Sequence, residues 1–331
     1  MIPRIAPYDP VFTPALIAIW NRALGGRCPL TERLWQQNVV DDPNWRAGDG
    51  LIMQDDAGAP IGFALTRRYR GHAENPDMTA VDGTGWLMAL VIDPAWTGRG
   101  YGTQLLRAAE TCLRAEGAIR CDNGGSLGHL LPGPPVDDLR ALRFWTRHGY
   151  PPMREVYDLH RSLVDWSPPP LPVAIAHEGW QIAAGQPGQE AAFLAALSHD
   201  FPGRWRATIA DTFARGGSAE DLVALRDPAG EIAGFLATWR PERPFLGPGL
   251  HRLPALGPYP GAIGPLGIAF AARGKGLGLA LVAEATRLLC EHGVVNCTID
   301  WVGTELLDFY ARLGFHPVRA YWRCGQKALQ P

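Results

Sequence analysis

Arg273-Gly274-Lys275-Gly276-Leu277-Gly278 is the stretch whose residue types and spacing point most directly to chemistry. An apolar run precedes it and an amphipathic run follows. The first N–H groups of a helix lack intrahelical partners and lie at the positive end of its dipole. Glycines let an anion approach those groups closely, and Arg273 and Lys275 add positive charge. The segment has the physics of a phosphate loop, with a pyrophosphate as the natural ligand. It is not a P-loop, which needs Gly-x-x-x-x-Gly-Lys-Ser/Thr. It also departs from the dinucleotide fingerprint. The spacing is Gly-x-Gly-x-Gly, Leu279 stands where that fingerprint has its third glycine, and Ala271 to Arg273 separate the strand from the first glycine.

The elements that position this loop occur twice. Leu90 to Gly102, with Gly98-Arg99-Gly100-Tyr101-Gly102, has its counterpart 176 residues later in Leu266 to Gly278. Strand-like Ile61-Gly62-Phe63-Ala64-Leu65 matches Ala233-Gly234-Phe235-Leu236-Ala237 at an offset of 172, and Phe144 to Tyr150 matches Phe309 to Phe315 at 165. Three signals in one order indicate duplication of a whole domain. Asp165-Trp166-Ser167-Pro168-Pro169-Pro170-Leu171-Pro172 reads as a stiff linker. The division expected is 1–164, a linker at 165–172, and 173–331. Each half should carry an early helix (Pro14 to Leu24; Gly188 to Leu197) and strands that include Gly50 to Gln54 and Asp221 to Arg226. Turns at Asp56-Ala57-Gly58 and Asp227-Pro228-Ala229-Gly230 lead into the Gly-Phe strands. In the second half a helix over Gly278 to His292, a strand over Val294 to Asp300 and a helix over Leu306 to Arg312 complete the unit. This order gives α/β, or α+β with a mixed sheet.

The 331 residues carry 31 Lys+Arg against 33 Asp+Glu, a net charge of -2, which speaks against a nucleic-acid binder. Apolar runs such as Trp86 to Ile92 are too short to span a bilayer. No signal-peptide core follows Met1-Ile2-Pro3-Arg4. The six cysteines show no Cys-x-x-Cys spacing and the nine histidines no paired ligand spacing. Reduced thiols, a cytoplasmic location and no metal are the expectations.

The loop resembles the acetyl-CoA loop of the GNAT N-acetyltransferases, Arg/Gln-x-x-Gly-x-Gly/Ala, through Arg273, Gly276 and Gly278. Phe309-Tyr310-Ala311-Arg312-Leu313-Gly314-Phe315 resembles the closing Tyr-x-x-x-Gly-Phe motif of the same family. The resemblance covers both halves, so the chain looks like a tandem GNAT protein. It implies acetyl-CoA as co-substrate in a cleft where two parallel strands splay, around Pro265 to Ala269 and Val294 to Asp300. Loop residues Arg273, Gly274, Lys275, Gly276, Leu277 and Gly278 would hold the pyrophosphate. Backbone groups near Gly267 and Ile268 would bind the pantetheine arm and polarise the thioester. In the first half Ile92, Gly98, Arg99, Gly100, Tyr101 and Gly102 correspond. There, however, Thr97 replaces the loop's Arg/Gln and Trp145 the closing Tyr. Gly303 stands where the family often has Asn. The second half is therefore expected to carry turnover.

The resemblance assigns Tyr310 to protonation of the CoA thiolate. Asp300 ends the splayed strand beside Trp301 and could act as base with a raised pKa. His199 and Asp200 lie where the family places acceptor-binding helices. The acceptor implied is a primary amine of a small molecule, an amino sugar among the candidates, and a monomer or weak homodimer is expected. A protein N-acetyltransferase and a non-catalytic acetyl-CoA sensor are the alternatives.

Overall fold

A computed structural model describes residues 3–70, 78, 81–170, 175 and 178–329. Leu171, Pro172 and Val173, at the expected linker end and domain start, lie outside the described residues, as do Met1 and Ile2. The chain forms two compact units, each mixed α/β. Met1–His72, Val81–Val156 and Ala320–Pro331 make the first; Tyr157–Arg319 with Ala73–Ala80 make the second. This differs from the linear division at 164 and 173, because each unit takes chain from beyond its own half.

The first unit contains the sheet β1-β2-β3-β4-β5-β13. These strands are Arg4–Pro7, Gly50–Gln54, Pro60–Arg68, Thr84–Ile92, Arg120–Asn123 and Lys327–Ala328. β4 runs antiparallel to β3 and parallel to β5. Its sequence, Thr-Gly-Trp-Leu-Met-Ala-Leu-Val-Ile, is almost continuously apolar because both faces are covered. Helices α1 (Thr13–Leu24) and α2 (Glu32–Trp35) come first, and α3 (Tyr101–Ala115) follows the glycine loop. α3 buries Leu105, Leu106, Ala109 and Leu113 on one face, and Gly117 at φ 80° ends it. The closing helix α4 is Leu139–Arg147. Lys327, beside β5, donates to Glu110 of α3 at 2.7 Å, and the buried Tyr150 hydroxyl donates to the same carboxylate at 2.8 Å. Leu329 and Cys324 belong to the same core.

The second sheet has the order β12-β6-β11-β10-β9-β8-β7. β6 is Pro152–Ser162, β7 Gln181–Ala184, β8 Leu222–Arg226, β9 Ile232–Trp239, β10 Pro260–Ile268, β11 Asn296–Gly303 and β12 His316–Cys324. β10 again runs antiparallel to β9 and parallel to β11. Helices α5 (Glu190–Asp200) and α6 (Arg204–Ala214) precede β8; α7 (Leu277–Glu291) follows the loop, and α8 (Leu307–Ala311) precedes β12. The expected strand ending at Asp300 continues to Gly303. All six cysteines are free; burial pushes the Cys121 thiol up to about 12 and the Cys324 thiol up to about 11.

Candidate active site

The two glycine loops share one backbone. Gly98 and Gly100 have φ of 81° and 83°; Gly274 and Gly276 have 79° and 77°. Gly100 and Gly276 each cap the helix that follows. A Cβ at Gly100 or Gly274 would meet nothing within 4 Å, so open space lies in front of each. That space, beside the unpaired N–H groups of a helix start, suits a diphosphate. The third glycine does something different. Gly102 packs against Phe144 and Ile92, and Gly278 against Phe309 and Ile268, which brings the closing helix onto the loop helix.

The strands splay in both units. β4 pairs with β5 only from Thr84 to Leu87, and β10 with β11 only from Pro260 to Ala262. Beyond these points β10 keeps only its antiparallel neighbour. Ala269 N donates to Ala233 O at 2.8 Å, and the ladder stays in register from Leu266 to Ile268. Bonded and non-bonded pairs alternate. Gly267 is therefore bonded to Phe235, while Leu266 and Ile268 turn their N–H and C=O groups to the open edge. The first unit repeats this: Asp93 N bonds Ile61 O at 2.9 Å, leaving Leu90 and Ile92 facing the splay. Leu266 and Leu90 escaped the sequence reading, which named Gly267. Gly267 serves packing, since a Cβ there would strike Phe235 and Phe201.

The basic residues of the second loop are already engaged. Arg273 Nε donates to Ile268 O at 2.9 Å, and its guanidinium lies over the exposed Phe270 ring. Lys275 Nζ donates to Glu178 at 2.8 Å and sits over Trp180. In the first unit Thr97 Oγ1 instead bonds Pro94 O at 2.8 Å, and Arg99 stacks on Trp96.

Tyr310 is buried, edge-on to Phe309, and burial, then the nearby Asp300 carboxylate, raises its pKa. It stays protonated at neutral pH and able to donate. Asp300 is half-buried at the splayed end of β11. Burial pushes its carboxyl up; His251, Arg252 and Arg204 pull it down. The His251 and Arg252 side chains are buried, and Arg252 Nε lies 3.3 Å from Asp158. Trp301 has φ 52° and carries the Arg204 guanidinium 4.4 Å above its ring. Strained non-glycine backbone of this kind gathers at functional sites. His251, Arg252 and Arg204 had no sequence signal, because only the fold brings them to Asp300. His199 and Asp200 are exposed at the end of α5 and face each other at 3.1 Å. Their neighbour Phe201 is the residue that reaches the splayed strand, at Gly267.

In the first unit the cleft is wide, about 1250 Å³. It is lined by Leu90, Ile92, Gly98, Gly100 and Trp145, with Arg140 at its rim. The 176- and 165-residue offsets mean that this unit has 11 extra residues between β5 and α4. They fold inward: Ser126, His129 and Leu130 are buried, and Leu131 and Pro134 wall the cleft. Among the described residues no cluster of three or more His, Cys, Asp or Glu could hold a metal, and no helix is long and apolar enough to cross a membrane.

The sequence pattern of the Acetyltransferase (GNAT) family matches residues 20–150 and 191–315. A mycothiol acetyltransferase of Arthrobacter sp. (strain FB24) is 30% identical over 249 residues, 71% of this chain and 68% of that protein. A second mycothiol acetyltransferase, from Pseudarthrobacter chlorophenolicus, is 29% identical over 77% of this chain and 70% of that protein. Among solved structures, the glucosamine N-acetyltransferase region of a fungal multi-domain GH3 beta-N-acetylglucosaminidase superposes with a TM-score of 0.87 at 26% identity, covering 98% of this chain but only 38% of that one. A tandem GNAT protein from the clavulanic acid biosynthesis pathway shares the fold, with a TM-score of 0.67 at 16% identity over 100% of this chain and 99% of that one. Twin loops, twin splayed strands and these matches lead to one conclusion: the chain belongs to the GNAT acetyltransferase family and is a tandem N-acetyltransferase.

Proposed function

We propose that this enzyme transfers the acetyl group of acetyl-CoA directly to a primary amine of a small polar molecule, such as an amino sugar, within a ternary complex, and that the second unit performs the turnover. The observation that carries this reading is the buried Tyr310 beside Asp300 at the point where β10 and β11 part. Relatives named mycothiol acetyltransferase and glucosamine N-acetyltransferase support a small acceptor.

The loop amides from Gly274 to Gly278 hold the diphosphate, and the pantetheine arm pairs with the open edge of Leu266 and Ile268. An N–H on that edge stabilises the tetrahedral oxyanion. Asp300 takes a proton from the ammonium of the acceptor, so that the free amine attacks the thioester carbon. As the C–S bond breaks, the Tyr310 hydroxyl delivers its proton to the CoA sulfur. The attacking nitrogen gives its second proton to water as the amide forms; the products are the amide and CoA thiol, Tyr310 recovers its proton from solvent, and Asp300 releases to solvent the one it took.

A panel of amines with acetyl-CoA, read by thiol release, tests the reaction. Turnover confined to amino sugars or related polar amines is the expected result. Hydrolysis without acceptor preference, or tight binding of NAD with none of CoA, overturns it.

A further inference from the structure

One face of β11 gathers the charged groups around Asp300. Side chains two apart on a strand share a face, so Asn296, Thr298 and Asp300 lie together, opposite the core residues Cys297 and Ile299. β6 is the hydrogen-bonded neighbour of β11. His160 of β6 meets Asn296 Oδ1 at 2.9 Å on that face, and Asp158, two residues earlier, shares it. Thr298 Oγ1 donates to Gly249 O at 2.9 Å, which seats the Pro248–Leu250 turn on the strand. His251 and Arg252 follow directly, and both are buried.

Asp158 is buried as well and serves two arginines. Arg252 Nε lies 3.3 Å from its Oδ2, and Arg319 Nη1 of β12 lies 3.8 Å from the same oxygen. Desolvation cancels much of what a buried ion pair gains, so the fold owes little net stability to this one. What the pair does supply is a cation held in a fixed place. Burial raises the Asp300 carboxyl, and His251, then Arg252, then Arg204 of α6 oppose the rise. Tyr310 of α8 faces the same carboxylate.

Resting on the reading of Asp300 as the base, we infer that Asp158 and Arg252 are positioning residues for it. Asp158 anchors the Arg252 guanidinium beneath the strand face that carries Asp300. That cation keeps Asp300 ionised in spite of its burial, ready for the acceptor's proton. Arg252 carries this role because a guanidinium, unlike the His251 imidazole, stays charged at every working pH. Asp158 and Arg252 are both buried too deeply to touch substrate.

The test follows the acid limb of kcat/KM in variants of the full chain, with the fastest amine of the panel as acceptor. Arg252→Met removes the cation, so Asp300 holds its proton to higher pH and the limb should move up by about one unit. Asp158→Asn removes a like charge and leaves Arg252 wholly to Asp300, so the limb should move down. Arg252→Lys keeps a cation and should hold the limb near the parent's. Shifts of opposite sign from the two halves of one ion pair cannot come from loss of structure, which would lower the melting temperature of both and leave the limb in place. If Arg252→Met folds poorly, Asp158→Asn and Arg252→Lys, closer in shape to the parent, carry the test. The inference is overturned if Asp158→Asn leaves the limb where it was, or if Asp158→Asn and Arg252→Met move it the same way. A limb that survives unchanged in Asp300→Asn overturns the base assignment itself.

Discussion

Lys275 and Glu178 lie 97 residues apart, yet their side chains meet at 2.8 Å beside the second glycine loop. The Lys275 hydrogen bond, followed by one from Trp180, holds the Glu178 carboxyl below its usual range. The pair spends a loop cation on a protein carboxylate. Glu178→Gln should therefore lower the acetyl-CoA KM of turnover by roughly two- to fivefold, the range of an exposed ion pair. The gain should fade in high salt, as screening requires. Initial rates at two ionic strengths check this; an unchanged KM would mean that Lys275 has no part in holding phosphate.

Tyr310→Phe should lower kcat by about 10²-fold or more, within the range of general acid catalysis. The ring still packs against Phe309 and Phe315, and the loop is untouched, so the acetyl-CoA KM should barely move. Measuring kcat and melting temperature on one preparation separates chemistry from packing. Normal turnover with a lower melting temperature would return Tyr310 to the core.

Asp300→Asn should have a pH-dependent cost. Burial raises the carboxyl's pKa, so in the parent the acid limb of kcat/KM lies above the ordinary carboxylate range. Below that limb Asp300 is protonated and accepts nothing, and parent and variant should converge. Above it, and below the pKa of the acceptor amine, the parent has a base and the variant has none. The gap should be widest in that window and close again once the amine is free without help. A full pH profile of both proteins, showing a constant ratio throughout, would remove Asp300 from proton transfer.

Arg204→Ala should uncover the Trp301 ring that it now covers. Acceptor KM should rise several-fold while acetyl-CoA KM stays within about twofold, because Arg204 lies far along the chain from the loop and on the Asp300 side of the splay. Equal rises in both constants would point to a general loss of structure.

The loops were legible because glycine spacing and flanking periodicity are local. α7 was expected over Gly278 to His292 and spans Leu277–Glu291, with Gly293 at φ 78° just beyond it. The open strand edge was legible only to within a residue. Choosing Leu266 over Gly267 requires the parity of the β9–β10 ladder, which a single strand does not contain. Arg204, His251 and Arg252 converge on Asp300 from separate segments, and no spacing announces that. The proline run at Pro168 to Pro170 marked a stiff connection, and stiffness does not say which strands complete which sheet.

That last point has a consequence for how the protein is made. Residues 320–329 belong to the first unit, where Lys327 neutralises the buried Glu110 and Leu329 fills the core. On the ribosome the first unit is begun first and finished last. While some 160 intervening residues are being made, its carboxylate waits without its cation and its β5 edge without β13. Such an intermediate exposes an unpaired strand edge, the feature that invites aggregation. Splitting the gene at the proline run would make that waiting state permanent in one fragment and strand its missing piece on the other.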